Sequence, residues 1–356
     1  MKYLYKILIL LAFALLSSNS IFAVESSQPN DKAKPLNVRD FILEHIADSY
    51  EWHITTFNDK QIAIPLPVIV HSSITGWHVF LSSELHQQHP YGLFIPSDGK
   101  FKGKIVEKDA SGVEVRPLDL SVTKVALSLI ISGILLIIII MSVAKSYRNG
   151  VYESKKGFVG FMELLIMNIH DDVIKPAVGE KYRHFAPYLL TLFFFVFVNN
   201  LLGLIPLFPG GANVTGNIAI TFGLAVITFL LVNVFGTKEY WREILWPDVP
   251  LWLKVPVPLM PLIELVGIFS KPFALMIRLF ANMLAGHSIV LGLTSLIFVT
   301  VSMGVAMNTS MTIVSVLFSV FIGFVEILVA YIQAYIFVML SAVFIGLAQV
   351  KSHHNQ

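Results

Sequence analysis

The sequence predicts an all-α polytopic membrane protein with five transmembrane spans, the last two long and tilted as a hairpin, behind a small exported extension containing strands. Three observations carry that class. The mean hydropathy is +0.73. Charged residues make up 13% of the 356, against ~25% in soluble domains. Uncharged apolar runs recur from residue 125 onward, and about 20 residues suffice to cross a bilayer. Cysteine is absent, which removes disulfides and thiolate metal sites. A formal net charge of +2 without a basic tract gives no sign of a nucleic-acid partner.

Taken in order, residues 1–23 have the layout of a secretory signal: Lys2 and Lys6, an apolar stretch at 7–16, and a small-residue end at Ala23. Residues 24–119 are polar enough for an exported domain. Helical spacing is expected at 38–50 and short strands at 62–70, 76–81 and 103–115, punctuated by Pro65, Pro67, Pro90, Pro96 and Gly99. Six of the eleven histidines lie here. His86 and His89 are spaced as a metal pair but lack a third ligand, so surface histidines and no metal site are expected.

The first span is expected at 125–144, between Lys124 and Lys145. Arg148, Lys155, Lys156, Lys175, Lys181 and Arg183 then mark a cytoplasmic segment, so this span runs from outside to inside. Residues 158–174 suit a helix lying on the inner surface or packed on the other helices. No charge occurs from Phe185 to Gly236. Pro206, Pro209, Gly210, Gly211 and Asn213 split that run into spans at 185–207 and 217–236. Asn199, Asn200, Asn213 and Asn217 are expected to hydrogen-bond between helices. Trp241, Trp246 and Trp252 in the next loop suit an interface. Two runs follow at 259–301 and 311–350, both longer than a bilayer requires. The C-terminal tail, 351–356, falls inside.

Within the fourth run, SKPFALMIRLFANMLAG at 270–286 carries a single arginine, Arg278. Charge at that depth costs a few kcal/mol or more, so the residue faces a protein interior or watery cavity and needs an anion. With the last two runs as an antiparallel hairpin turning near 303–308, Arg278 is level with Gln333 and His287 with Glu326. The His287 level lies ~13 Å from Arg278, toward the outside. Glu264 lies fourteen residues away on the inner side. Neither acid of these runs matches Arg278 in depth, which assigns its anion to another subunit. Arg278 and Asn282 share a face, while His287 turns away from them. Histidine and a desolvated carboxyl can each pass through both protonation states. Arginine cannot, and stands as a fixed positive barrier.

RLFANMLAG at 278–286 resembles the signature of subunit a of rotary F-type ATP synthases. SKP at 270–272, NLLGLIP at 200–206, the Asn213/Asn217 segment and AYIQAYIF at 330–337 are similar as well. The resemblance runs from about residue 121 to 349. It implies a stator subunit in a bacterial inner membrane, bound to a ring of c subunits, to b subunits and to the F1 sector. Arg278 would face the c-ring carboxylates, with Asn282 and Gln333 beside it. His287 and Glu326 would form the outer half-channel and Glu264 the inner one. The acid and histidine stand in the order of mitochondrial relatives, and Gly203 replaces an acid found in some members. No nucleotide loop is present, so the chain is expected to be no enzyme alone and to hold no cofactor. A self-contained secondary transporter is the alternative, but it would show internal repeats. A membrane scaffold would leave Arg278 a packing residue.

Overall fold

The structure, a computed structural model, describes residues 38–57, 60–86, 91–96, 99–109, 112–148, 155–205, 210–246 and 259–349. The expected signal, the tail at 351–356, His89 and Trp252 lie outside them, as does the side chain of His86. The chain divides into two compact units. One draws on residues 1–131, 203–212 and 288–323, the other on 132–202, 213–287 and 324–356.

The first unit opens with helix α1 (Val38–Ile46) and an antiparallel hairpin of β1 (Glu51–Phe57) and β2 (Lys60–Pro65). β1 adds to the expected strands; its β-branched and aromatic residues suit a pleated surface. β3 (Pro67–Ser72) and β4 (Gly76–Leu81) pair antiparallel from Pro67↔Leu81 to Ser72↔Gly76. The run expected at 103–115 yields only two-residue strands, β5 (Glu107–Lys108) and β6 (Glu114–Val115). β7 (Leu118–Asp119) returns to β3, giving the sheet order β4-β3-β7. Alternation along β3 sends Val68 and Val70 into a core with Tyr50, Leu93 and Ile105. Tyr50 donates a hydrogen bond to Asp119, and burial, then that carboxylate, raises its phenol well above the ordinary range.

Glu107 is buried at 3% exposure and accepts hydrogen bonds at Oε1 from the Ser73 amide, 3.2 Å, and hydroxyl, 2.8 Å. Burial works to raise its carboxyl, but the bonds from Ser72 and Ser73, with the charge of His71, outweigh it and leave it below 4.5. A depressed carboxyl contributes stability that is present above its unfolded value and lost as pH falls through its folded one. Acidification is therefore expected to lower the protection of the β3 amides relative to their intrinsic exchange rates at each pH. Glu107→Gln should flatten that pH dependence, as read by exchange on the intact protein.

Helix α2 (Lys124–Tyr147) begins four residues after β7. In the second unit, α3 (Phe158–Met167) runs through a π-helical stretch, Asn168–Ile174, into α4 (Lys175–Val178). α5 (Tyr182–Leu204) and α6 (Ile218–Val234) follow, then α7 (Lys238–Leu245), bent 99° from α6. α8 (Leu259–Thr300) and α9 (Val305–Ala348) are 42 and 44 residues long, separated by a turn at Val301–Met303 and Gly304, whose φ is 100°. At 1.5 Å per residue each measures ~65 Å, twice a hydrocarbon core. Among the described residues four helical stretches are long and apolar enough to cross a membrane, or five with the bent α6–α7 pair counted as one. The architecture is thus a polytopic helical membrane protein carrying strands near its N-terminus.

The core of the second unit gathers Met162, Leu165, Ile169, Leu189, Phe193, Leu275, Leu279, Phe337, Val338 and Ile345. The stretch at 158–174 therefore packs on the other helices through one face, while Phe158, Phe161, Leu164 and Met167 stay exposed. Of the four asparagines only Asn200 bonds between segments among the described residues, accepting from the Thr215 hydroxyl at 2.6 Å and donating to the Ala330 carbonyl at 3.4 Å. Asn199 donates to Phe195 in its own helix, Asn213 accepts from the Gly216 amide, and Asn217 caps α6 through the Ala219 amide. Local backbone groups at a helix start satisfy an amide side chain at less entropic cost than a distant helix.

A methyl group at Gly346 would overlap the Ala177 carbonyl oxygen, and that neighbour is backbone. Overpacking of this kind costs ~1–3 kcal/mol, more than the ~1 kcal/mol alanine gains over glycine in a helix. Gly346→Ala is expected to lower the melting temperature of the detergent-solubilised protein.

Candidate functional site

All six candidate site residues fall in the second unit. Residues 259–287 of α8 form a helix with two unlike sides. Ile268, Leu275, Leu279 and Met283 recur at seven- and four-residue steps, with Met276 beside them, and are buried, so one stripe docks onto the core. Ala274, Arg278, Ala281, Asn282 and Ala285 lie on the other side and are exposed. Arg278 thus projects from a surface of small residues. No carboxylate among the described residues makes an ion pair with it. Gln333, on α9, is buried at 6% exposure. No hydrogen bond among the described residues joins it to Arg278.

Toward the other end of this segment, α8 meets α9. A Cβ at Gly286 would overlap Glu326 Oε1, and the carboxyl carbon would stand 3.2 Å from it. Glycine is therefore what lets this carboxyl lie against the α8 backbone, one residue from His287. Glu326 Oε1 is buried and has no hydrogen-bond partner among the described residues. His287 is half-buried. The structure brings the Glu326 carboxyl to Gly286, the residue next to His287 in the chain. The residue that composition could not reveal is Gly286. Its signal is a glycine on the buried stripe of α8, immediately before a histidine.

At the other end, Glu264 is half-buried on α8. Tyr240, on α7 outside the spans, has its phenol raised by burial first and by the charge of Glu264 second. Tyr240 lines an open recess with Thr228, Asn233 and Lys271, floored by Phe229, Leu275 and Phe344. Lys271 Nζ sits 5.8 Å from the Phe344 ring centroid, and Asn233 Oδ1 is buried without a hydrogen-bond partner among the described residues. Glu264 thus acts through its charge on Tyr240, one wall of a recess with several polar groups. Their signal in the sequence is thin, because they come from α6, α7, α8 and α9 together. Among the described residues no group of three or more histidines, aspartates and glutamates is placed to hold a metal.

Long apolar helices that carry a guanidinium on an exposed face and a carboxyl against a neighbouring helix define an integral membrane protein. Residues 126–346 match the family model described as ATP synthase A chain. Residues 41–120 match a second model, described as a domain of unknown function. ATP synthase subunit a of Chloroherpeton thalassium is 40% identical over 249 residues, covering 68% of this chain and 71% of that protein. ATP synthase subunit a of Chlorobium phaeobacteroides (strain DSM 266) is 40% identical over 285 residues, 78% and 75% of the two chains. ATP synthase subunit a of an Anaeromyxobacter species is 34% identical over 330 residues, 88% and 71%. The chain belongs to the ATP synthase subunit a family.

Proposed function

We propose that this chain is the proton-conducting stator subunit of a rotary ATP synthase, with Arg278 facing the ring of c subunits. The observation that carries this reading is the position of Arg278, exposed among Ala274, Ala281 and Ala285 without a carboxylate partner among the described residues. Small residues let a neighbouring helix approach closely in lipid, and a guanidinium there requires an anion that this face of the chain does not supply. A carboxylate midway along each c subunit would be that anion.

In this mechanism α8 and α9 form an antiparallel hairpin, with residues 24–119 in the periplasm and the C-terminus in the cytoplasm. Protons enter past Glu326 and His287 and reach a c-subunit carboxylate. Near Arg278 that carboxyl loses its proton, because the adjacent cation favours the charged form. The proton leaves past Glu264 and the recess lined by Tyr240 and Lys271. Asn282 and Gln333 flank the arginine as polar groups. Each proton crossing 100 mV supplies ~2.3 kcal/mol, so several must pass per ATP. Nucleotide chemistry belongs to the F1 sector, held by b subunits.

The absence of native cysteine makes a direct test available. Cysteine at Ala274, Ala281 or Ala285 is expected to form disulfides with cysteine placed midway along the c subunit. Cysteine at Leu275 or Leu279, on the buried stripe, should form none. Equal cross-linking from both faces would remove the rotor from this surface.

A further inference from the structure

One face of the β4-β3-β7 sheet has no partner among the described residues. β3 and β4 register places three residues per strand on it, and the amides of Leu120 and Val122 extend β7 along β3 by donating to the carbonyls of Ile69 and Pro67. Three cross-strand rows result. The row nearest α2 is Val122, Pro67 and Leu81. Next come Leu120, Ile69 and Val79. The far row is Leu118, His71 and Trp77. Trp77, Val79, Leu118 and Leu120 are 57–71% exposed. Among the nine positions only His71 can carry charge, whereas the opposite face holds the core valines and Asp119.

We propose that this face is seated in the lipid leaflet at the Lys124 end of α2, the Val122–Pro67–Leu81 row toward the acyl chains and the His71–Trp77 row among the headgroups. The first argument is reach. Four residues separate β7 from α2, at most ~14 Å of chain. Hydrogen bonds from the Lys124 amide to the Ser49 carbonyl and from the Val125 amide to Asp48 tie the start of the span to the same fold. The second is the gradient along the strands. Successive same-face residues advance ~6.6 Å, so the rows pass from aliphatic to aromatic and imidazole over ~13 Å. His71 and Trp77 meet edge to face at 4.8 Å between centroids. Membrane interfaces favour that order, with tryptophan at headgroup level. A protein-binding face of this size usually carries more directional polar groups.

Single-cysteine variants at Leu81, Val79 and Leu118, spin-labelled in the assembled complex in phosphatidylethanolamine–phosphatidylglycerol vesicles, test the idea. Collisions with dissolved oxygen are expected to exceed those with a water-soluble nickel chelate at Leu81 and Val79. The ratio should fall from Leu81 to Val79 to Leu118 and invert at the control Lys102→Cys. Collisions dominated by the chelate at all three positions would overturn the proposal. So would protection from both reagents, which means a protein covers the face. As a second measurement independent of labelling, brominated lipid should quench the emission lost in Trp77→Phe. Absence of quenching overturns the proposal as well.

Discussion

Replacing Arg278 with alanine is expected to abolish proton-driven ATP synthesis while the subunit still accumulates in the membrane. Arg278 is exposed on α8 and contributes nothing to the buried stripe of Ile268, Leu275, Leu279 and Met283, so its removal leaves the internal packing intact. Its proposed work is electrostatic. Two unit charges 4 Å apart at an effective dielectric constant of 20 interact by ~4 kcal/mol, close to a thousandfold in a protonation equilibrium. Without that term a c-subunit carboxyl would keep its proton as it passed, and the fixed barrier between the two routes would be gone. Synthesis by inverted vesicles and passive proton leak through the stripped membrane sector are the two readouts. Arg278→Lys keeps the charge but loses the planar fork and is expected to recover little. Retained coupled synthesis in the alanine variant would end the proposed mechanism.

Glu326→Gln is expected to lower proton flux by about a hundredfold, the low side of what a positioned proton-transfer group contributes. Glutamine reproduces the shape that rests on Gly286 and supplies a donor to a place where Oε1 has no partner among the described residues. Packing should survive, so a loss of flux reports the missing titratable group. His287→Ala should change the pH profile of the same flux. Glu326→Asp, still titratable but one methylene shorter, should recover part of it. Flux unchanged in both Glu326→Gln and His287→Ala would return these residues to a packing role. Gly286→Ala acts differently: its methyl displaces Glu326 without removing any titratable group.

Much of the architecture was legible because lipid simplifies the code. A spanning segment must satisfy its own backbone, so long uncharged runs have one outcome. The runs at 125–144 and 217–236 correspond to α2 and α6, and those at 259–301 and 311–350 to α8 and α9. The extension was harder to read. β5, β6 and β7 are two residues each, too short for an alternating pattern to register. The π-helical stretch at Asn168–Ile174 also left no periodic mark, since apolar spacing close to helical fits both geometries.

At the candidate site, residue types were visible and relations were not. Arg278, His287, Glu326 and Glu264 stand out as ionisable groups in apolar surroundings, which any reading of the sequence finds. Gly286 did not stand out, because a glycine in a membrane helix is ordinary until something rests on it. The recess at Tyr240, Asn233 and Lys271 needs four helices to exist, and no spacing along one chain segment encodes it.

Composition and hydropathy alone therefore determined that this is a helical membrane protein, which stretches are long and apolar enough to cross, and which ionisable residues interrupt them. Those properties follow from the transfer energy of each segment taken by itself. Only the tertiary structure decided that Arg278 is turned outward onto a surface of alanines, that Glu326 is enclosed against a glycine, and that one sheet face is left bare. These depend on which side chains reach the same point from distant parts of the chain, and that is settled by packing.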